Sequence, residues 1–221
     1  MTLAVESGEW VVLTGDNGTG KSTLLKAAAG LIEPHHGSIR VFGHTAGRCQ
    51  TRVSYLPQRG ELAWHFPIDV YTLVMTGRFV HMGWLRRPTR EDHRLVEQAL
   101  ERLGIRELAR TQIGELSGGQ QQRVLLARTL VHEADLILLD EPSNAVDADT
   151  VEVILDVVAG LAREGKAVLA ATHDHARFHP RCDRLMRMQS GRLVEDAPSA
   201  AAHRNWDAAR HIPAPAAEFV A

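Results

Sequence analysis

Gly15-Asp16-Asn17-Gly18-Thr19-Gly20-Lys21-Ser22 satisfies the pattern G-x-x-x-x-G-K-[ST]. Together these residue types can hold a polyphosphate. The glycines let successive backbone N–H groups turn inward around a β-phosphate. Lys21 sets a point charge on the β- and γ-phosphates, and the Ser22 hydroxyl can reach Mg²⁺. A helix that opens near Lys21 and runs on through Thr23 would add the positive end of its dipole. A glycine-rich turn without a ligand is the alternative. The run sits between a strand-like "EWVVLTG" and a helix-like "KSTLLKAAAGL", which is the context a phosphate loop requires.

Asp140 and Glu141 close the apolar run "LILLDEP". A carboxylate at the end of a parallel strand beside a phosphate loop can hold Mg²⁺, directly or through water. The neighbouring glutamate points elsewhere and can orient or deprotonate an attacking water. Two charges at a strand's surface end is the plainer explanation, and the phosphate loop outweighs it. His173 ends "KAVLAATH" and is placed to reach a γ-phosphate or to serve structure alone.

Ser117-Gly118-Gly119-Gln120 is a second glycine turn at a helix start. It matches the capping box S-x-x-Q, in which the serine binds its own backbone. It also matches an anion site, because paired glycines open the turn and expose N–H groups. Two such turns could not both surround one triphosphate within a single domain without a sharp fold-back. A second copy of the chain could supply the other.

These residues need strands to carry them. Residues 9–15, 38–43, 52–58, 134–142 and 166–173 read as strands, the last two buried by their unbroken apolar runs. From Asp69 to about Arg110 the texture is helical, with Thr89 and Asp92 forming a capping-box start. Leu95, Ala99, Leu100 and Leu103 then share one face, as do Val151, Ile154, Leu155, Val158 and Leu161 in a later helix. Alternating strands and helices predict an α/β fold with a mostly parallel sheet covered on both faces. The segment from about Ala197, rich in alanine and proline, reads as a loosely ordered tail.

Composition narrows the partners. Lys and Arg number 25 against 27 Asp and Glu, so no basic field favours nucleic acid. Cys49 and Cys182 have no partners at metal-ligand spacing, which suits a reducing compartment. No run approaches the roughly 18 apolar residues that cross a bilayer, and the N-terminus lacks the basic start of a signal peptide. Any work at a membrane is expected to go through a partner.

From Val11 to about Glu195 the chain resembles the ATP-binding cassette (ABC) ATPases. Beside the phosphate loop stand "LSGGQ" (116–120), the family signature, and "LILLDEP", which resembles its Walker B strand with the following glutamate. Pro57-Gln58 matches the Q-loop, "SNAVD" (143–147) the D-loop and "ATHD" (171–174) the H-loop. The resemblance implies a P-loop NTPase (RecA-like) core with an inserted helical subdomain. Its boundaries are one nucleotide-binding domain over 1–196, with core at about 1–65 and 131–196, helical subdomain at about 66–130, and an Ala/Pro-rich tail over 197–221.

The resemblance also implies ATP and Mg²⁺ as ligands and a head-to-tail dimer. Ser117, Gly118, Gly119 and Gln120 would then face the partner's γ-phosphate. Glu141 would polarise water, His173 would steady both, and Ser22, Gln58 and Asp140 would hold Mg²⁺. Gln58 would link the metal to transmembrane permease subunits, placing the chain on the cytoplasmic face of the cell membrane. An extracytoplasmic substrate-binding protein would be an indirect partner.

Residues 56–92 are similar to the corresponding region of ATPases from manganese and zinc importers. Iron-siderophore, haem or cobalamin uptake is the alternative cargo, and Phe66, Val70, Leu73 and Val74 could simply form a subdomain core. A soluble DNA-repair ATPase would insert long coiled coils, a translation-associated one would carry two cassettes, and a P-loop kinase would lack LSGGQ.

The chain departs from the family pattern in three places. Family members carry some 20–30 further residues before the phosphate loop, with antiparallel strands and an aromatic that stacks on adenine. Those strands are expected here to be missing or incomplete, leaving sheet backbone unpaired. Trp10 lies too close to the loop to stack and reads as a core residue. Loss of a base–aromatic stack is worth about 1–3 kcal/mol, so weak ATP affinity and poor selection against GTP are expected, with a folded but hydrolysis-impaired nucleotide-binding module as the alternative to an active ATPase. Asp16 replaces a small residue and should point outward, and "SNAVD" differs from commoner D-loops at its second position.

Overall fold

Apolar runs that lack alternation become strands with two dry faces. β1 (Thr2–Val5), β2 (Trp10–Thr14), α1 (Lys21–Ala28), β3 (Ser38–Val41), β4 (His44–Thr45) and β5 (Val53–Leu56) come first. They are followed by α2 (Val70–Met75), α3 (Phe79–Met82), α4 (Arg90–Arg102) and α5 (Gly118–Leu130). β6 (Leu136–Asp140), α6 (Ala148–Arg163), β7 (Ala167–Ala171), α7 (His175–Phe178), β8 (Arg184–Gln189), β9 (Arg192–Pro198) and β10 (Ala217–Val220) complete the order. The structure is a computed structural model that describes residues 2–82, 86–199 and 216–220.

Six strands form one sheet in the order β5-β6-β7-β2-β8-β9, parallel throughout except for the β8–β9 hairpin. Side chains alternate faces along each strand, so every central strand feeds two cores. Trp10, Val12, Ile137, Leu139, Val168 and Ala170 pack on the side of α5 and α6. Val11, Leu13, Leu136, Leu138, Leu169 and Ala171 pack on the side of α1. Each fully buried aliphatic side chain contributes about 1.5–3 kcal/mol, which fixes these strands in the middle. Trp10 is a core residue as expected, 1% exposed, with its ring edge-on to Phe178 at 6.1 Å.

A second sheet, antiparallel, runs β1-β10-β3-β4 and covers the α1 side. Only the four-residue β1 of this sheet precedes the phosphate loop, and what is corrected here is the expectation of unpaired backbone beside it. β10 lies between β1 and β3, with Thr2 opposite Val220, Val5 opposite Ala217, and Ala217 opposite Val41. Ala216 donates its N–H to the Val5 carbonyl and accepts from Phe42 N–H, and Ala216 and Ala217 are fully buried. The 197–221 segment is therefore not uniformly a loose tail. Its first two residues belong to β9, Ser199 is buried, and its last described stretch is a paired strand. Alternation is too short over four residues for sequence to reveal such a strand. Residues 200–215 of that segment lie outside the described residues.

Between β5 and β6 the chain leaves the sheet as a helical insert, α2 to α5. α4 buries Val96, Ala99 and Leu100, with Leu103 just beyond it, while Leu95 stands at the rim. Val70, Leu73 and Val74 are core, as the plainer explanation of that stretch allowed; Phe66 is not, being 58% exposed.

Thr89 caps α4 and Asp92 completes the box, its carboxylate accepting from the Thr89 backbone N–H at 2.9 Å. The same carboxylate takes the Arg78 Nε at 2.8 Å, and Arg78 also donates to the Val131 carbonyl and to Glu133. The Thr89 backbone bond, then the Thr89 hydroxyl and Arg78, hold the Asp92 carboxyl down at about 2. A depressed folded-state pKa gives stability that is complete above the unfolded value, 3.8, and lost as pH falls through about 2. Asp92→Asn should cost about 3 kcal/mol at neutral pH by removing the buried carboxylate that pairs with Arg78 and leaving only the half-exposed Glu133 to balance it. Thermal unfolding of both proteins checks this, and the gap should narrow as the pH drops below 4.

Candidate functional site

The phosphate loop follows β2, Asp140 ends β6, and His173 lies two residues past β7. β7 pairs with both β2 and β6. Three separated stretches of sequence therefore meet at the carboxyl edge of neighbouring parallel strands, where open α/β sheets bind ligands. Asn17, Gly18, Gly20, Lys21, Ser22, Thr23, Gln58, Glu141, Asn144 and His173 line a single cleft of about 550 Å³.

The loop's shape depends on Gly15. Its φ is +145°, and an added Cβ would fall 2.3 Å from the Met188 carbonyl oxygen, so no side chain fits. Asp16 is exposed, as expected, and only its backbone works: its carbonyl accepts from the Thr19 hydroxyl at 2.9 Å. Lys21 is buried and donates to the carbonyls of Gly15 and Asp16 at 2.6 and 3.1 Å. The ammonium thus sits inside the turn that it would neutralise with a phosphate. α1 starts behind Gly20, which supplies no side-chain cap, leaving its first-turn N–H groups directed at the cleft.

Asp140 is fully buried. Its Oδ1 accepts from the Ser22 hydroxyl at 3.0 Å and its Oδ2 from the Tyr55 hydroxyl at 3.1 Å. No Lys or Arg pairs with it among the described residues. A buried carboxylate served only by neutral donors, with a serine hydroxyl and the Gln58 amide nearby, is a donor set of hard oxygens that fits Mg²⁺.

Glu141 is 6% exposed and has φ 49°, a left-handed conformation unusual for glutamate. Its backbone N–H donates to the Ala171 carbonyl at 2.9 Å, tying β6 to β7 just where the carboxylate turns into the cleft. Nδ1 of His173 lies 2.8 Å from Glu141 Oε2. The histidine and glutamate that sequence reasoning singled out separately are therefore one hydrogen-bonded pair. Backbone strain at such a position costs on the order of 1–3 kcal/mol and marks a functional geometry.

Ser117–Gln120 is not brought to this cleft: none of these residues lines it. Ser117 forms the full capping box, its hydroxyl accepting from Gln120 N–H at 3.3 Å while Gln120 Oε1 accepts from Ser117 N–H at 2.9 Å. Gly119 has a local reason too, because an added Cβ would meet Asp147 Oδ2 at 2.6 Å and Thr150 Oγ1 at 2.7 Å. The turn is both capped and exposed at Ser117, so capping and anion binding are compatible.

Two residues at the site were not singled out from sequence. Asn144 lines the cleft and donates its backbone N–H to Glu141; its presence within "SNAVD" was the available signal. Tyr55 touches Asp140 across the β5–β6 pair, and nothing in the sequence marks that contact.

Comparison with known proteins places these features in a family. The chain is 43% identical over 184 residues to the manganese transport system ATP-binding protein MntA of Synechocystis, covering 82% of this chain and 71% of that one. It is 39% identical over 195 residues to the zinc transport system ATP-binding protein TroB of Treponema pallidum, covering 88% and 73%. Among solved structures, a dimeric bacterial ABC transporter cassette superposes with TM-score 0.79 at 25% identity, covering 89% of this chain and 88% of that one. An inward-facing ABC transporter gives 0.76 at 29% identity, covering 87% and 72%. The family model for ABC transporters matches residues 1–144, which spans β1, the phosphate loop, the signature and the carboxylate pair, and this chain belongs to that family.

Proposed function

We propose that this chain is the ATP-binding and ATP-hydrolysing subunit of an ABC importer for a divalent metal, manganese or zinc. The observation that carries the chemistry is the meeting of Lys21, Ser22, Asp140, Glu141 and His173 at one strand edge. Support for the cargo is that the two relatives described above are ATP-binding proteins of a manganese and of a zinc transport system.

In this reading Gly15 to Thr23 wrap the phosphates of ATP, with Lys21 balancing their charge. Ser22 and Asp140 hold Mg²⁺, with Gln58 reaching it from the neighbouring segment. Bound Mg²⁺ neutralises charge that develops on the β- and γ-phosphate oxygens. Glu141 takes a proton from the attacking water, and His173 orients that carboxylate through the 2.8 Å bond. Ser117, Gly118, Gly119 and Gln120 present N–H groups and a hydroxyl to the γ-phosphate held by a second copy, paired head-to-tail. Transmembrane permease subunits hold the pair at the cytoplasmic face of the membrane, and an extracytoplasmic binding protein delivers the metal.

The test is uptake of radioactive manganese and zinc by cells lacking the chain. Wild-type chain should restore accumulation, and Ser117→Arg should not, because a bulky cation would close the partner's site. Light scattering should show the same substitution abolishing ATP-dependent dimerisation. Unaltered manganese and zinc uptake, with ferric-chelate uptake lost instead, would transfer the proposal to the other cargo class.

A further inference from the structure

Tyr55 sits three residues before Gln58 and opposite Leu138 in the β5–β6 register, two positions short of Asp140. Its hydroxyl reaches over to Asp140 Oδ2 at 3.1 Å. The two oxygens of that buried carboxylate are thereby given different work. Oδ1 faces Ser22, a candidate metal ligand, and Oδ2 is occupied by the phenol. A phenol is protonated at neutral pH and donates to the carboxylate.

Behind Tyr55 lies a separate small cavity of about 220 Å³, lined also by Ser54, Pro57, Thr76, Gly77 and Arg128. One side chain thus spans from the junction of sheet and helical insert to the carboxylate at the nucleotide cleft. Gln58, two residues beyond β5, lines the nucleotide cleft, so the strand and the segment after it reach the candidate metal site through Tyr55 by way of Asp140 and through Gln58.

We propose that Tyr55 is a positioning residue for the metal: by engaging Oδ2 it fixes the Asp140 carboxylate with Oδ1 presented beside Ser22. This rests on the reading of Ser22 and Asp140 as Mg²⁺ ligands. Partners that orient metal-ligating carboxylates typically control affinity by 10–100-fold. Without the phenol, Asp140 can rotate and leaves a buried oxygen without a donor.

The experiment uses the full chain and its Tyr55→Phe variant, which keeps the ring and removes one hydroxyl. Mn²⁺ binding is followed by electron paramagnetic resonance with a non-hydrolysable ATP analogue present. Analogue binding is measured separately in excess EDTA. The expected result is at least about tenfold weaker Mn²⁺ binding in Tyr55→Phe, with metal-free nucleotide affinity unchanged. The Mg²⁺ concentration needed for half-maximal turnover should rise by the same factor, while turnover at saturating Mg²⁺ recovers. Equal Mn²⁺ affinity in the two proteins overturns the proposal, and so does an equal loss of metal-free nucleotide binding, which marks a general structural role. An absence of bound Mn²⁺ in the unsubstituted chain overturns the metal site itself and this proposal with it.

Discussion

Glu141→Gln should bind nucleotide and fail to turn it over. The carboxylate lies at a 6% exposed position, faces the cleft from a left-handed backbone and accepts, among the described residues, from His173. The amide is nearly isosteric, so the loop, Lys21 and the Ser22–Asp140 pair are left in place. Only the ability to accept a proton is removed, and positioned bases contribute about 10²–10⁴-fold to rate. ATP hydrolysis should therefore fall at least about 100-fold, while the dissociation constant for Mg²⁺-ATP stays within a few-fold. Because hydrolysis would separate the ATP-bound pair, the variant should also accumulate as a dimer in light scattering. Turnover within tenfold of wild type would remove Glu141 from the role of base and leave it as the strand-end charge that sequence alone also allowed.

Deleting residues 216–221 should lower the melting temperature by about 10 °C. β10 is bonded on both sides, and β1 has no other strand neighbour in the sheet among the described residues. Loss of β10 separates β1 from β3 and opens the layer in which Leu3, Val5, Ile39 and Val41 pack with Leu25 and Ala28 of α1. Partial exposure of two or three such side chains costs about 3–5 kcal/mol, and a chain of this size loses about 2–4 °C per kcal/mol. Since α1 begins at Lys21, nucleotide affinity should fall with stability. Calorimetry of the shortened chain measures the first effect and a nucleotide titration the second. A cysteine pair at Ala4 and Glu218, which are register partners, supplies an independent check by forming a disulfide within one chain. A melting temperature unchanged on deletion, with no such disulfide, would mean that the strand does not carry the sheet.

Sequence legibility differed sharply from one part of this chain to another. The phosphate loop and the carboxylate pair were readable because their chemistry demands particular residue types at fixed spacing along a continuous stretch. The same holds for the buried strands β6 and β7, whose unbroken apolar runs suit only a sheet covered on both faces. The capping boxes at Thr89 and Ser117 were legible too, since each is closed by residues three apart.

Contacts between distant segments were beyond the reach of residue spacing, and only the family resemblance implied any of them. Sequence placed Glu141 and His173 at separate strand ends; the adjacency of β6 and β7 makes them a pair. It gave no sign of Tyr55, whose role arises because β5 pairs with β6 in a register that sets its hydroxyl against Asp140. Phe66 looked like core and is exposed, because the chain around it turns through short bends before α2 begins. β10 is the clearest case: four residues carry too little pattern to declare a strand, and their state is decided by the slot between β1 and β3. By itself the sequence determined which groups have the chemistry that suits a phosphate, a metal and a water. Tertiary structure decided which of them meet, because hydrogen bonds between strands far apart in the chain depend on a register that no local spacing encodes.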